Sequence, residues 1–381
     1  MKSSFLTKSP DRLKDRCSLQ TKPPRWNHLW LREEERRKPY ITKNDMAQVT
    51  GFPIKKIAIF RALKLGDFLL FTPALKAIRR SFPQGVIDYI GLPWNSELVK
   101  RYDCYIDNFV EFPGFPGLPE NPFNAEKVAS FLTLVQKQKY DLVLQMHGNG
   151  NVSNLLVSLF GGRVVAGFAS DDAYWPNQDF FLSYPGRQHE VLKSLGLLQF
   201  LGIDHEDKAM DFPLFETDFQ KLGALKEFQS IRSGPYACLH PGAISAAPWP
   251  AEHFAAVADN FTEQGLQVAL TGTMQEKHLT RAVMQKMTSP AIDFAGKTDI
   301  GMLAALIKSS RAVVANDTGV AHLAVAVNAP SVTVFTTTDP SIWAPLDQAQ
   351  HCIVAGNAVK TPEAAILATK AIMDNERTSP S

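Results

Sequence analysis

The chain has 381 residues, 45% of them hydrophobic and 20% charged. That is enough for two domains with separate cores, and the mix excludes a disordered or fibrous protein. The net charge of +2 conceals an asymmetry: residues 1–50 hold 12 Lys+Arg against 6 Asp+Glu, and residues 51–381 hold 28 against 32. Cys17, Cys104, Cys238 and Cys352 lie far apart with no CxxC spacing. This argues against a metal site or a disulfide framework and fits a reducing compartment. "MKSSFLTKSPDRLKDRC" lacks the apolar core of a signal peptide, and no stretch approaches the length of a membrane span. The expected compartment is the cytoplasm, and no nucleic-acid partner is expected.

Residues 1–50 read as a basic extension, with "WNHLWLREEERRKPY" offering a short helix that carries Trp26, Leu29 and Trp30 on one side. It is either a solvated arm or a contact with an anionic membrane surface, where each Lys or Arg contributes about 1 kcal/mol. The second alternative puts the protein at the inner face of the cytoplasmic membrane.

From residue 54 the pattern alternates. "KKIAIFRA" is a buried strand, and "DFLLFTPALKAIRRSFP" is a helix with Leu75, Ile78 and Phe82 at helical spacing. "VIDYIGL", "NFVEFP", "YDLVLQMHG" and "RVVAGF" are further strands. "NSELVKRY", "NAEKVASFLTLVQKQK" and "NVSNLLVSLFGG" are helices between them, Asn124 capping the second. "HEVLKSLGLLQFLG" closes this half, and a polar linker is expected near 216–235. The alternation then restarts with strand "YACLHPG" and a helix framed by Pro250 and Gly265. Strands "LQVALTG", "AIDFAG", "RAVVAND" and "SVTVF" alternate with three helices, and "TPEAAILATKAIMDNE" is a last helix. Such alternation implies right-handed crossovers and parallel sheets. The expected fold is α/β, two Rossmann-like lobes facing a central cleft, with lobes at 51–225 and 226–381.

Open parallel sheets bind ligands at the carboxyl ends of their strands. In "VVANDTGVAHLAVAV" a strand ends at Asn316-Asp317 and Thr318-Gly319 opens a helix, with His322 one turn on. Unpaired N–H groups and a partial positive charge suit that first turn to a diphosphate. Gly319 would let the anion approach the backbone, and Asp317 would orient the loop by accepting backbone N–H bonds. An aspartate cap with a packing glycine is the alternative. In "LHPGAISAAPWPAEHF" the turn Pro241-Gly242-Ala243 leaves room for a ligand and Ser245 offers a hydroxyl, whereas Trp249 suits helix-start packing. "LTGTMQEKH" supplies Thr271, Gly272 and Glu276; the glutamate is either a ribose ligand or a solvated helix-start residue. "FAGKTD" supplies Lys297 and Thr298 at a fourth strand end. Gly66-Asp67 follows the first strand of the first half, and its carboxylate is either a helix cap or a general base.

"IAIFRALKLGDFLLFTPALKAIRRSFP", "HPGA…WPAEHF", "LTGTMQE", "FAGKTDIGMLAALI" and "ANDTGVAHLAVAVNAP" together resemble glycosyltransferase family 9, the bacterial ADP-heptose:lipopolysaccharide heptosyltransferases. The resemblance runs from about residue 54 to 345. It implies the GT-B architecture and metal-independent inversion at the anomeric carbon, with no cofactor. It further implies a nucleotide-diphosphate sugar donor such as ADP-heptose and a glycan or glycolipid acceptor bound on the first lobe. Asp67 matches the catalytic aspartate. Asp317, Thr318, Gly319 and His322 match the diphosphate loop, Glu276 the ribose contact, and Gly242, Ala243 and Thr298 the ADP lining. Gly66 would clear the approach to the carboxylate. The family's basic residue two positions before the tryptophan is here Ala247, and Arg61 and Lys64 are the candidates to support the leaving group instead. The alternatives are a changed donor sugar or a non-catalytic nucleotide-sugar binder. Lys100, Arg101, Arg163, Arg187 and His189 read as solvated charges or as contacts to an acidic acceptor.

Overall fold

A computed structural model describes residues 50–243 and 247–378. The basic arm through residue 49 and Ser245 lie outside the described residues. The first stretch of chain contains β1 (Lys56–Phe60), α1 (Leu65–Ser81), β2 (Val86–Gly91), α2 (Asn95–Val99), β3 (Asn108–Glu111) and α3 (Ala125–Lys137). It continues through β4 (Leu142–Gln145), α4 (Ser153–Ser158), β5 (Val164–Ala169), β6 (Phe181–Ser183) and α5 (Glu190–Phe200). Then come α6 (Glu216–Ala224), α7 (Lys226–Ile231), β7 (Tyr236–His240), α8 (Ala251–Glu263), β8 (Gln267–Leu270), α9 (Lys277–Met284) and β9 (Ile292–Asp293). The chain ends with α10 (Ile300–Lys308), β10 (Ala312–Asn316), α11 (Gly319–Ala326), β11 (Ser331–Phe335), α12 (Pro340–Trp343), β12 (His351–Ala355) and α13 (Glu363–Thr378).

These elements form two six-stranded sheets, in the orders β3-β2-β1-β4-β5-β6 and β12-β11-β10-β7-β8-β9. Every pairing is parallel. Numbered within its own half, each sheet has the doubly wound order 3-2-1-4-5-6, so the α/β expectation of two Rossmann-like units holds. The central strands are apolar through most of their length and largely buried, because helices cover both faces of such a sheet. Two compact units result, and they interleave in sequence. One takes the described residues up to Ala62, Ile78–Ser183 and Leu198–Asp204; the other takes Leu63–Ala77, Tyr184–Leu197 and the chain from His205. The first turns of α1 therefore pack with the second unit and its last turn with the first.

In the first unit Phe60 meets Phe112 edge-on at 5.1 Å and Phe160 at 6.0 Å, and the His147 ring stacks on it at 5.1 Å. Asn124 caps α3 as expected, its side chain accepting from the Lys127 amide at 2.9 Å. In the second unit Trp249 is buried in the core against Phe254 at 5.0 Å, and its indole N–H donates to the Val359 carbonyl. The helix-start packing reading of Trp249 is thus correct.

One expectation needs correction, and two edge strands were not expected. The polar linker near 216–235 is mostly the helices α6 and α7, which bury Leu222 and Ile231 under a polar exterior. The short edge strands β6 and β12 were not predicted; each is held by backbone pairing to one neighbour. No helix among the described residues is long and apolar enough to cross a membrane.

His351 is buried on β12 with Nδ1 2.8 Å from the Ser331 hydroxyl, and burial lowers its pKa from 6.5 to about 4. A histidine held below its unfolded value leaves stability intact above pH 6.5 and removes it as pH falls toward 4. The loss from this residue is about 3 kcal/mol at most. Urea denaturation of His351→Asn between pH 7 and pH 4 should show a shallower fall in stability than the parent chain; an identical fall would remove His351 as the cause.

Candidate active site

In the second sheet β7 and β10 are neighbours, and their connections leave toward opposite sides, so a crevice is expected beyond their carboxyl ends. Asn316, the last residue of β10, ties the two strand ends together. Its amide N–H groups donate to the carbonyls of Pro241 at 3.1 Å and Gly242 at 3.2 Å, and its Oδ1 accepts from the Trp249 amide at 3.2 Å. Thr318 follows as the cap residue of α11, in an extended conformation. Its hydroxyl is buried and has no hydrogen-bond partner among the described residues. A buried hydroxyl without a partner is costly unless a ligand or ion completes it. Here it stands beside the unpaired amides of a helix start, the chemistry that receives a phosphate oxygen.

Asp317 is the residue that should oppose an anion. Burial raises its pKa, against a hydrogen bond from Thr338 that acts the other way. Its Oδ1 lies 3.7 Å from Nε2 of His322. Burial lowers His322 to about 4, with His189 pushing in the same direction. Low dielectric therefore drives both members of the contact toward their neutral forms, which lessens the repulsion a bare carboxylate would exert on a diphosphate. The Asp317 side chain engages Thr338 and faces His322, where the sequence suggested a brace on backbone amides.

The first turn of α1 lies in the same compact unit. A Cβ added at Gly66 would sit 2.8 Å from Cδ2 of His322 and 3.6 Å from Cα of Gly319. A Cβ at Gly319 would sit 3.1 Å from Cβ of Leu65. Two helix starts thus touch because neither residue carries a side chain. Both glycines were expected to clear space for a ligand; what occupies the space is the His322 ring in one case and the Leu65 side chain in the other. Asp67 follows, half-buried, as the third residue of α1. The helix opens two residues earlier, with the Phe68 amide donating to the Lys64 carbonyl, so Asp67 lies within the first turn rather than at the cap.

Around β7 and β8, Gly242 is crowded: an added Cβ would lie 2.6 Å from Nε2 of His240 and would clash with Oε1 of Glu276. The other oxygen of Glu276 accepts from the Thr273 amide at 2.7 Å. Thr271 is buried, with its hydroxyl on Nδ1 of His240 at 3.1 Å and on the Leu239 carbonyl. It holds His240, whose pKa is lowered by burial against the opposing effect of Glu276. Gly272 packs on Glu276, and Ala243 and Thr298 are half-buried at their strand ends. Lys297 is drawn to Glu227 Oε1 at 2.9 Å and to the Asp293 carbonyl at 2.6 Å.

Asn316, His240 and Thr338 were not singled out from the sequence. The first two lie inside the quoted stretches "ANDTG" and "LHPG", but their partners are some 30 to 75 residues away and nothing local reveals them. His189, taken as a solvated charge or an acceptor contact, is buried, its Nε2 donating to the Ala344 carbonyl at 2.7 Å. Arg61 belongs to the first unit, where its guanidinium is buried and donates to the Met146 carbonyl at 2.5 Å. Lys64 is exposed, as is Ala247. Among the described residues no group of three or more His, Cys, Asp or Glu is arranged to hold a metal ion.

The sequence profile of glycosyltransferase family 9 (heptosyltransferase) matches residues 128–370. Lipopolysaccharide heptosyltransferase 3 of Escherichia coli is 26% identical over 295 residues, spanning 74% of this chain and 83% of that protein. Lipooligosaccharide heptosyltransferase 2 of Haemophilus influenzae is 29% identical over 170 residues, 40% of this chain and 49% of that protein. The crystal structure of a family 9 glycosyl transferase from Veillonella parvula superposes with a TM-score of 0.71 at 20% identity, covering 84% of this chain and 97% of that one. For ADP-heptose lps heptosyltransferase II of E. coli the TM-score is 0.68 at 19% identity, covering 85% and 100%. Those two solved structures share the fold, and the profile match takes in well over half the chain. The chain belongs to glycosyltransferase family 9, and it is a glycosyltransferase.

Proposed function

We propose that the chain moves a heptose from ADP-heptose to a lipopolysaccharide core glycan, with inversion at the anomeric carbon, Asp67 as general base, and no metal ion. The observation that carries this reading is the close approach at Gly66, which sets the turn bearing Asp67 against the start of α11. The diphosphate rests on the α11 amides and the Thr318 hydroxyl, and the helix-end field offsets its charge in the role a cation would otherwise fill. Glu276 is held beside Gly242 at the end of β8, as a ribose ligand requires. Asp67 takes the proton from the acceptor hydroxyl as that oxygen bonds to the anomeric carbon. The bond from the same carbon to the β-phosphate oxygen breaks, and its electron pair leaves with ADP.

Ala247 supports a second reading. It carries no charge for the departing diphosphate, Arg61 is committed to Met146, and Lys64 alone of the two candidates is exposed. A leaving group that needs less support, on another nucleotide sugar, would suit this site. The arm at residues 1–50, with its surplus of basic residues, fits contact with anionic lipid at the inner face of the cytoplasmic membrane.

Release of ADP from ADP-heptose, compared with release from other nucleotide diphosphate sugars and with lipopolysaccharide as acceptor, tests the donor directly. In that assay Asp67→Asn should keep ADP affinity while kcat falls by about 10²–10⁴; turnover at the parent rate would exclude Asp67 as the base. Gly66→Ala drives a methyl group into His322, so it should weaken ADP binding about tenfold and lower kcat as well. Parent-like behaviour would show that the contact is slack. Deleting residues 1–45 should reduce sedimentation with phosphatidylglycerol vesicles and leave turnover of a soluble acceptor intact; unchanged sedimentation would dismiss the membrane role.

A further inference from the structure

His240 ends β7, Gly242 lies two residues beyond it, and Glu276 lies past the end of the neighbouring β8. All three belong to the second compact unit. His240 is 5% exposed, and Thr271 at its ring is fully buried. The Thr271 hydroxyl donates to the Leu239 carbonyl at 3.3 Å, so its oxygen is the acceptor for the His240 ring, 3.1 Å from Nδ1. This puts the ring proton on Nδ1 and leaves Nε2 with its lone pair, since burial keeps the ring neutral. The Glu276 carboxylate is fixed through its other oxygen. Oε2 accepts from the Thr273 amide at 2.7 Å, and the Glu276 amide donates back to the Thr273 hydroxyl at 3.3 Å. Oε1 is turned toward Gly242. The point where a Cβ of residue 242 would stand is 2.6 Å from His240 Nε2 and closer still to Glu276 Oε1. Gly242 is itself pinned, its carbonyl accepting from the Asn316 amide group at 3.2 Å.

Two acceptors thus converge on one face of a glycine. Neither Nε2 nor Oε1 has a hydrogen-bond partner among the described residues. Acceptors that face the same space repel one another, and a ligand that brings protons to them relieves the repulsion. We infer that His240 Nε2 and Glu276 Oε1 together accept from the two adjacent hydroxyls of the donor's ribose, which makes His240 a specificity-determining residue. This rests on the nucleotide-sugar reading and adds a substrate class: ribonucleoside diphosphate sugars are taken and deoxyribonucleoside ones are refused. A phosphate oxygen carries no proton to give to such a pair. The amino group of a base has both its donors on one nitrogen. The ribose diol has one donor on each of two neighbouring oxygens, one for each acceptor. Because Thr271 and Thr273 hold the two acceptors in place, no side chain has to be ordered when the ligand arrives.

The test measures the affinity of the full chain for ADP, 2′-deoxy-ADP and 3′-deoxy-ADP by titration calorimetry. The parent chain should bind each deoxy analogue about tenfold more weakly than ADP, the scale of one lost hydrogen bond. His240→Phe should erase the discrimination against one analogue, and Glu276→Leu the discrimination against the other. His240→Gln, which puts an amide oxygen near the place of Nε2, should restore most of the ratio that His240→Phe loses. Each readout is a ratio within one protein, so a general weakening of nucleotide binding, which lowers all three affinities together, does not imitate it. Should the phenylalanine variant fail to fold, His240→Ala is read in the same way. Equal binding of ADP and both analogues by the parent chain would overturn the inference, and so would undiminished ratios in the His240 variants. Failure of the parent chain to bind ADP at all would instead overturn the ADP-heptose reading, and this inference with it.

Discussion

The arrangement around the candidate site depends on a distance that only two hydrogen-bearing Cα atoms permit. Gly66 and Gly319 each lie in the first turn of a helix, and each lacks the Cβ that would hold the two helix starts apart. Through that contact the first turns of α1 join the second compact unit, although β1 immediately before them and the last turn of α1 belong to the first. The carboxylate at position 67 thereby shares a packed environment with the loop suited to a diphosphate. Bulk at either glycine would move the turn bearing Asp67 and the start of α11 together, so the two cannot be tuned independently.

Buried histidines set the electrostatic character of the second unit. His240 and His322 are both shifted toward their neutral forms, and Asp317 is shifted toward protonation. A site meant for a dianion usually gathers lysine or arginine. The start of α11 gathers amides, a hydroxyl without a partner among the described residues, and a His322 ring shifted toward its neutral form. The attraction then comes from fixed dipoles, which cost no reorganisation when the ligand arrives.

Two sheets of one topology carry different chemistry at equivalent places. At the β7/β10 switch point the strand ends are joined by Asn316 and present donors. At the β1/β4 switch point they are joined through His147, whose Nδ1 accepts from the Ala62 amide.

Much of this was legible in the sequence. Apolar runs such as "KIAIF" and "AVVAN" bury both faces and can only be central strands of a covered parallel sheet, and the capped helices between them declare themselves through local residues such as Asn124. The same logic singled out Asp67, Glu276 and the loop at 317–319 as candidates, because ligand sites in such sheets follow strand ends. What local pattern could not carry was partnership across long separations. Whether Gly319 faces an anion or Leu65, whether His189 is wet or bonded to Ala344, and whether Arg61 is available or committed to Met146 depend on residues 85 to 254 positions apart in the chain. Whether a short apolar run such as that of β12 becomes an edge strand depends on a neighbour offering a hydrogen-bonding edge. The sequence alone determined the periodicity, hence the elements and the sheet type; tertiary structure decided which polar groups meet, because meeting is a property of packing and leaves no period in the chain.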